Sequence, residues 1–442
     1  MTREYKKDSG IEWIGKIPKE WEVKKVKYVS NSISKGNGIT KEEVFEDGDT
    51  PCVRYGEIYS RYNNSFNHCI SATRKEIQKS PRYFNKGDIL FASTGELVEE
   101  IGKNIVYLGE EPCLAGGDII VLSHHQFPSF LNYALNCHSS QAQKSRNKAK
   151  LKVVHISASE IGDILIALPS LPIQQKIADY LDKVCVEVDE MVALQETMIE
   201  ELKAYKQSVI TEAVTKGLNP NVPMKDSGID WIGEVPEHWG IQRLKTLGWA
   251  QNGISQSGEY FGEEYSYPFV NYSDAYKNYS IPYPEGRANS SEEDRKRYSL
   301  IEGDVLFTRT SETIEEIGFA STCMETIPNA VFSGFLIRFR PTSDKLFKGF
   351  SKYYFRSLIH RAYFVKQMNI VTRASLGQDL LKNLLVLLPP LSEQRAIASN
   401  LDTKCSEIDS LIALKQTKIE ELKEYKKSVI YEYVTGKKEV GG

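Results

Sequence analysis

The sequence predicts an α+β protein in which two globular α/β modules, related by pseudo-twofold symmetry, are separated by two long antiparallel coiled-coil helices. Two internal repeats predict this arrangement. Residues 187–215 return as 407–435 with 18 of 29 positions identical, and the segment KDSGIEWIG at 7–15 returns as KDSGIDWIG at 225–233. The two copies of the longer segment lie 220 residues apart. A period of that length indicates two whole modules rather than the short units of a solenoid.

Each module is predicted to begin with a turn-rich clasp and to continue as short strands. The KDSG segments are followed by Pro18 and Trp21 in the first module and by Pro236 and Trp239 in the second. Gly and Pro at fixed offsets favour tight turns, and the tryptophans are expected to be buried. Further on, GDILF and GDVLF predict a tight turn that leads into a buried strand in each module.

The modules end in apolar strands and prolines, after which the long helices are expected to start near Ile173 and Ser392. In both helices apolar residues recur every three or four positions, which predicts a coiled-coil seam. The predicted seam includes Ile177, Tyr180, Val184, Val188, Met191, Met198, Leu202, Tyr205 and Val209, and in the second helix Ile397, Ile408, Leu411, Leu422, Tyr425 and Val429. The second helix ends at the point in the repeat where a third clasp would begin. In space, this end is expected to lie near Lys7 of the first clasp.

These patterns divide the chain into five segments. They are a first globular module at 1–172, a first helix at 173–216, a second globular module at 217–391, a second helix at 392–436 and a flexible tail at 437–442.

Composition excludes several classes of protein. The net charge of −3 gives no overall sign of nucleic-acid binding, but residues 141–152 hold five basic and no acidic residues, and residues 187–201 hold six acidic and no basic ones. The seven cysteines have no paired spacing, which indicates reduced thiols and no metal site. No apolar run is long enough to span a bilayer, and the N-terminus lacks a signal-peptide core, so a cytoplasmic protein is expected.

The sequence contains none of the catalytic motifs that we considered. An N/D-P-P-Y/F methyltransferase tetrad, a G-x-x-x-x-G-K-[ST] phosphate loop and a G-x-S-x-G nucleophile turn are absent. E-x-K triplets occur on the predicted coiled coil without an upstream Pro-Asp. The sequence therefore predicts no catalytic residue.

The closing segments carry a resemblance to a known family. They read LPSLPIQQKIADYLD at Leu168–Asp182 and LPPLSEQRAIASNLD at Leu388–Asp402. Together with the two clasps and the two Gly-Asp turns, they resemble the specificity subunit of Type I restriction-modification enzymes over essentially the whole chain. The first segment departs from the second in having Pro172-Ile173 where the second has Ser392-Glu393.

The resemblance implies a non-catalytic DNA-binding subunit that takes part in DNA methylation and restriction. In that family each variable module is a target-recognition domain that reads half of a split, asymmetric double-stranded DNA sequence. The helices act as a spacer and as the docking site for two methyltransferase subunits, and restriction/translocase subunits join the complex. The resemblance implies no cofactor in this chain: S-adenosylmethionine belongs to the methyltransferase, and ATP and Mg to the restriction subunit.

Candidate DNA contacts come from a comparison of the two halves. Arg54 matches Asn271, Ser93 matches Arg309, and Thr40 matches Ser255. Arg suits guanine and Asn suits adenine, whereas Lys, Ser and Thr commonly bind phosphates. The full predicted set is Thr40, Arg54, Tyr55, Ser93, Thr94, Lys144, Arg146, Lys148, Lys150, Lys152, Ser255, Gln256, Asn271, Tyr272, Arg309, Thr310, Arg373 and Ser375. Exposed loop residues also diverge after any duplication, so an alternative for each position is a solvated loop, and for Tyr55 and Tyr272 the favoured alternative is a packing role.

Candidate partner contacts lie on the helices. The acidic stretch at 187–201 has the wrong sign for DNA, so it is expected to face a basic partner surface or to point away from DNA. The predicted docking residues are Gln174, Gln175, Glu187, Asp189, Glu190, Gln394 and Arg395.

Two other functions remain open from the residues. One is a coiled-coil scaffold or adaptor with no nucleic-acid role, which would show no salt-dependent DNA affinity. The other is the recognition part of a fused methyltransferase-nuclease, which would need catalytic motifs that the chain lacks.

Overall fold

The computed structural model divides the chain into two compact units. The first unit consists of Met1–Glu196 and Thr417–Gly442, and the second of Thr197–Gln416. The structure describes residues 6–77, 80–146, 148, 153–255, 260–262, 264–311, 317–360, 363–364 and 374–441. Both long helices therefore contribute to both units.

The first unit is built on two small mixed sheets. The larger sheet contains, in spatial order, Ser30–Lys35, Ile119–His124, Ile89–Ala92, Asn104–Tyr107 and Ser65–Phe66. The smaller contains Ser71–Thr73, Thr50–Val53, Cys113–Ala115 and Tyr83–Phe84. Three strand pairs complete the unit: Lys6–Asp8 with Lys16–Pro18, Glu22–Lys25 with Leu165–Leu168, and Thr94–Gly95 with Val154–His155.

Short helices cover these sheets. The α-helices are Tyr55–Ser60, Pro128–Asn136, His138–Ser145 and Ala158–Gly162, and the 3-10 helices are Val26–Tyr28, Lys41–Glu43, Lys75–Ile77 and Val98–Glu100. One core of this unit packs the helix at 128–136 against the larger sheet, the clasp and the start of the first long helix.

The second unit repeats this plan. Its larger sheet contains Gly248–Asn252, Leu336–Pro341, Val305–Thr308 and Ala320–Thr322, and its smaller sheet contains Arg287–Ala288, Tyr267–Val270 and Val331–Phe332. The strand pairs are Met224–Asp226 with Glu234–Pro236, Gly240–Arg243 with Leu385–Leu388, and Thr310–Ser311 with Ala374–Ser375. Its short helices are Leu244–Thr246 (3-10), Tyr272–Lys277, Glu292–Arg297, Lys348–Tyr354 and Gln378–Lys382.

The two long helices are Leu171–Lys216 and Leu391–Val434. Each begins one or two residues before the predicted start, and Pro172 is tolerated because the first turn of a helix needs no backbone donor. In the first unit Asp189 pairs with Lys426 at 2.7 Å, and the rings of Tyr180 and Tyr433 lie 4.5 Å apart. The partner numbers rise as the first-helix numbers fall, so these segments run antiparallel. In the second unit Lys206–Asp409 and Met198–Lys415 show the same direction.

The predicted coiled-coil seam is partly wrong. Ile177 and Val188 are buried as expected, as are Ile397, Ile408, Leu422 and Val429. Met191, Tyr205, Leu411 and Tyr425 are exposed instead. Their places in the packed face are taken by residues such as Leu181, Cys185, Ile199 and Leu401. Each helix packs on a globular module as well as on the other helix, so its buried stripe is not that of a simple two-stranded coil.

The clasps are confirmed. In each clasp an aspartate side chain accepts from the N–H of a glycine two residues on, at 2.9 Å for both Asp8–Gly10 and Asp226–Gly228. Trp21 and Trp239 are buried. In the first unit the clasp packs on the end of the second helix, because Lys437 Nζ donates to Ile14 O at 2.6 Å and Tyr431 Oη donates to Trp13 O at 3.2 Å. The second helix thus ends beside the first clasp, as predicted.

The two clasp tryptophans differ in one hydrogen bond. Trp239 Nε1 donates to Glu393 Oε2 at 2.9 Å, and the other oxygen of Glu393 lies 2.6 Å from His238 Nε2. The position that corresponds to Glu393 in the first helix is Ile173. Among the described residues, the buried Trp21 Nε1 has no acceptor. The sequence difference at the two helix starts therefore removes one buried hydrogen bond from the first unit.

We predict that Glu393→Ile destabilises the second unit by about 1–3 kcal/mol, because it would leave the indole N–H of Trp239 buried without its acceptor. Urea unfolding followed by fluorescence measures this loss. Glu393→Gln keeps an acceptor oxygen and is the matched control, for which we expect a smaller loss. Equal stabilities of wild type and Glu393→Ile would contradict a structural role for this bond.

Candidate nucleic-acid interface

The first unit contains a cleft that brings together three of the predicted DNA contacts. The cleft has a volume of about 750 Å³ and is lined by Thr40, Arg54 and Tyr55. Lys41, Arg61 and Asp118 also line it. Two loops cross at its floor so closely that a β-carbon on Gly117 would lie 2.9 Å from Gly38 Cα. Larger residues at this crossing would push the loops apart.

Arg54 is held in place by a buried carboxylate. It caps the helix Tyr55–Ser60, and its backbone N–H donates to Glu57 Oε2 at 2.9 Å. Its Nη2 donates to Glu57 Oε1 at 3.2 Å, and the same oxygen accepts a bond from Ser71 Oγ at 2.5 Å. Since Glu57 is buried, the guanidinium is fixed at the wall of the cleft.

The matching position in the second unit shows a different use of the same site. Asn271 caps the helix Tyr272–Lys277, and its Oδ1 accepts from the Asp274 N–H at 3.1 Å and from Ser273 Oγ at 2.8 Å. Tyr272 stacks on Tyr276 with ring centroids 5.7 Å apart. Reading adenine with both groups of an amide needs its oxygen, so Asn271 would have to give up the cap to make that contact.

A second pair of matched positions lies on the short strand pairs. Thr94 pairs with His155 in the first unit, where Thr94 Oγ1 lies 3.1 Å from His155 Nδ1, and Thr310 pairs with Ser375 in the second. Thr310 and Ser375, predicted separately, are thus neighbours. Ser93 is buried, which leaves it unsuited to a direct base contact, whereas Arg309 is half-buried.

The basic run at 144–152 is not a uniform phosphate-binding loop. Arg146 is exposed and its guanidinium lies 5.6 Å from the ring centroid of Trp13. Lys148 is occupied by an ion pair with Glu160 at 2.8 Å and a bond to His155 O. Lys150 and Lys152 lie outside the described residues, as do Gln256 and Arg373.

Lys144 does not fit the predicted phosphate contact. It is only 2% exposed, and its Nζ donates to Gly102 O at 2.6 Å and to Asn104 Oδ1 at 2.8 Å. Burial lowers the pKa of this ammonium to about 7. Its aliphatic chain packs against Gly102. In the second unit the corresponding glycine, Gly318, packs against the ring of Phe364. The periodic basic pattern of the sequence could not show that one of its lysines points into the core.

We predict that Lys144→Met removes a pH dependence of stability. The folded pKa of about 7 lies below the value of about 10.4 for an unfolded lysine, so between these values the unfolded chain binds the extra proton. The unfolding free energy of the wild type should therefore rise relative to the variant from pH 7 to pH 9, by up to about 1.4 kcal/mol per pH unit. Urea titrations at both pH values measure it.

Lys148→Met is the control for that experiment, because Lys148 has a carboxylate partner. The unfolding free energy of this variant is expected to change between pH 7 and pH 9 in the same way as that of the wild type. Parallel curves for Lys144→Met as well would show that Lys144 is charged in the folded protein.

The predicted partner contacts fall into two groups. Gln174 and Gln394 are buried, and each binds its own module, so neither can face a partner as predicted. Gln174 Oε1 accepts from the Phe127 N–H at 3.0 Å, and Gln394 Oε1 accepts from the Phe347 N–H at 2.8 Å. Exposed residues that fit a docking role by position are Gln175, Glu187, Glu190 and Arg395. Asp189 is also exposed but is engaged with Lys426.

Sequence reasoning missed a repeated apolar surface on the helices. Met191, Leu194 and Tyr205 on the first helix correspond to Leu411, Leu414 and Tyr425 on the second, and all six are between 43% and 69% exposed. Met191, Leu194 and Tyr425 lie in the first unit, and Leu411, Leu414 and Tyr205 lie in the second. We name these two sets the twin patches. The spacing of apolar residues places four of the six in the coiled-coil seam. Their exposure on both helices shows that they lie on the surface instead.

The described part of the chain lacks two kinds of feature. Within it, no group of three or more His, Cys, Asp or Glu residues is placed to hold a metal ion. None of its helices combines the length and the apolar character needed to cross a membrane.

Two copies of one α/β module carry different polar side chains at matched positions, some of which line a cleft in the first unit, and this arrangement defines a two-part recognition protein. The chain belongs to the family described as Type I restriction modification DNA specificity domain, which matches residues 18–204 and again 236–424. The two matches fall on the two halves of the internal repeat.

Relatives of similar length are known. The chain is 25% identical to the putative type I restriction enzyme MjaX specificity subunit of Methanocaldococcus jannaschii over 96% of this chain and 95% of the relative. It is 25% identical to the type I restriction enzyme EcoKI specificity subunit of Escherichia coli over 90% of this chain and 84% of the relative.

Solved structures share the fold. A chain from a study of assembly and conformational transition of the type I R-M system is 17% identical, with a TM-score of 0.74 over 96% of this chain and 99% of that one. The HsdS subunit from Thermoanaerobacter tengcongensis is also 17% identical, with a TM-score of 0.55 over 96% and 98%. At this identity the likeness shows the fold alone.

Proposed function

We propose that this chain is the DNA specificity subunit of a Type I restriction-modification complex, without catalysis of its own. Each module would read one half of a split, asymmetric DNA target. The observation that carries this proposal is the family match over both halves of a repeat whose framework is the same and whose cleft residues differ. A DNA-methylating complex acting on the chromosome would work in the cytoplasm.

The cleft of the first unit suits the reading of a base edge. Arg54 lines the cleft, with its Nη2 held by Glu57 and its Nε buried. A guanidinium that is fixed in this way loses little entropy on binding, and guanine is the base that offers two acceptors to arginine in the major groove. Lys41 and Arg61, at the same cleft, are positioned to hold phosphates.

This proposal predicts a two-part methylation motif. We expect that a genome in which this chain is expressed with its methyltransferase shows methylated bases in one motif of two unlike halves separated by a fixed spacer. Arg54→Ala should relax the preference for one guanine in one half and leave the other half unchanged, at a cost of about 1–3 kcal/mol in discrimination. Single-molecule sequencing of the methylated genome gives both motifs at once.

Arg61→Ala is the matched control in the same cleft, since loss of a phosphate contact should lower methylation of all sites without changing the motif. A continuous motif, or no motif, would contradict the proposal. An unchanged motif with Arg54→Ala would contradict only the role of Arg54.

The twin patches are suited to docking two copies of one partner subunit. Exposed apolar side chains clustered on a surface commonly mark protein interfaces. The same three helical positions are used in both units, with Met191 and Leu194 matched by Leu411 and Leu414, and Tyr425 matched by Tyr205. Two equivalent surfaces suit two identical partners, which we propose are the methyltransferase subunits. Glu187 and Glu190 lie close in sequence to the first patch and would face basic groups of the partner.

We predict that Leu194→Lys and Leu414→Lys each remove one of two bound methyltransferase subunits, and that the double variant removes both, because a buried lysine without a partner is costly. Native mass spectrometry measures the stoichiometry. Val186→Lys is the control, since Val186 is equally exposed but its counterpart on the second helix is Ser406. Two bound subunits on the double variant would exclude the twin patches as the docking sites.

The cofactors of the proposed complex would be held by partners. S-adenosylmethionine would bind to the methyltransferase, and ATP with Mg to the restriction subunit. The present chain would supply target recognition and a docking surface.

A further inference from the structure

One position beside the proposed DNA-reading residues carries very different side chains in the two units. In the first unit Asp118 lines the same cleft as Thr40, Arg54 and Tyr55. Its counterpart in the second unit is Phe335. The backbone shows the match, because the Ser93 N–H donates to Asp118 O at 2.9 Å and the Arg309 N–H donates to Phe335 O at 2.9 Å.

The surroundings of Phe335 place it among the proposed DNA contacts. A β-carbon on the preceding Gly334 would lie 3.4 Å from Ser255 Cα, and Arg309 Nη1 donates to Gly334 O at 3.4 Å. The Phe335 N–H donates to Ser333 Oγ at 3.2 Å, which fixes the turn that presents the ring. Phe335 therefore lies between Ser255 and Arg309 on the surface of the second module.

Neither side chain at this position serves the core of its module. Phe335 is 60% exposed, although the next residue, Leu336, is fully buried in the sheet. The Asp118 side chain is 45% exposed and forms an ion pair with the exposed Lys35, with Nζ at 3.5 Å. A single exposed aromatic residue is ordinary on a protein surface. An exposed ring whose matched residue lines a recognition cleft is better explained by a ligand.

We propose that residues 118 and 335 are one base-reading position shared by the two modules. Asp118 accepts a hydrogen bond from the N4 amino group of a cytosine in one half-site, and Phe335 packs on the C5-methyl group of a thymine in the other. This inference rests on the proposed function. It names the class of base that each module recognises at this position.

The chemistry of the major groove supports this pair of assignments. A carboxylate can accept from the exocyclic amine of cytosine, and phenylalanine can contact the methyl group of thymine. A carboxylate so close to DNA is otherwise repelled by the phosphates, so a base amine is the contact that suits Asp118. Both bases are pyrimidines that present their distinguishing group at the same edge of the groove. One scaffold position can therefore read either base when its side chain is exchanged.

Reciprocal substitutions test the position. We expect Phe335→Asp to remove the thymine preference at one position of the second half-site, and Asp118→Phe to remove the cytosine preference at one position of the first. Each variant is expressed with the methyltransferase and its motif is read from the methylated genome. Tyr283→Asp replaces another exposed aromatic residue of the second unit and should leave the motif unchanged.

A test with wild-type protein avoids any effect of substitution on folding. Each thymine of the second half-site is replaced in turn by deoxyuridine, which lacks the methyl group, in an oligonucleotide substrate. The complex should methylate one of these substrates about fourfold more slowly, the factor expected when one buried methyl group is lost. With Phe335→Asp that difference should disappear.

The outcomes separate this inference from the function on which it rests. A wild-type complex without a two-part motif would overturn the proposed function. A two-part motif that is unchanged by both substitutions would overturn the inference alone, as would the absence of any deoxyuridine effect with the wild-type complex.

Discussion

A buried glutamine at the start of each long helix is the interaction on which the rest of each unit depends. Gln174 Nε2 donates to Pro169 O at 2.8 Å while its oxygen accepts from the Phe127 N–H. Gln394 makes the same two bonds, to Pro389 O at 2.9 Å and from the Phe347 N–H. An amide buried with both of its ends bonded cannot turn or shift without leaving a polar group unpaired. The helix is thereby fixed to its module at one defined angle.

A second bond, about two helical turns further along, makes this attachment rigid. Tyr133 Oη donates to Asp182 Oδ1 at 2.8 Å, and Tyr353 Oη donates to Asp402 Oδ1 at 2.8 Å. Two bonds about 12 Å apart along a helix define its direction as well as its position. The proposed docking surface on the helix and the proposed DNA-reading cleft on the module can then keep one geometry, although no residue belongs to both.

The sequence predicted the parts of this structure that are repeated and local. The clasps, the turns before Ile89 and Val305, and the two long helices follow from glycine, proline and apolar spacing, which act over a few residues. The burial of Gln174 and Lys144 did not follow, because a polar residue type indicates the surface unless its buried partners are known. Met191 and Tyr205 were placed in the seam because spacing shows that apolar stripes exist but not which stripe the module covers.

The core of the first module shows how far two copies of one framework can diverge. Asn104 and Asn132 are fully buried and bonded to each other at 2.7 Å, and Asn104 also accepts from Lys144. At the corresponding sites the second module has Ala320, Lys352 and Phe364. The first module thus has a buried polar network at sites where the second has two apolar residues and a lysine that pairs with Asp402 at 2.7 Å. Because a buried network is stable only when every member is satisfied, these residues must change together, whereas an exposed cleft residue such as Tyr55 can be replaced alone. Exposed cleft residues are therefore under fewer packing constraints than the core that presents them.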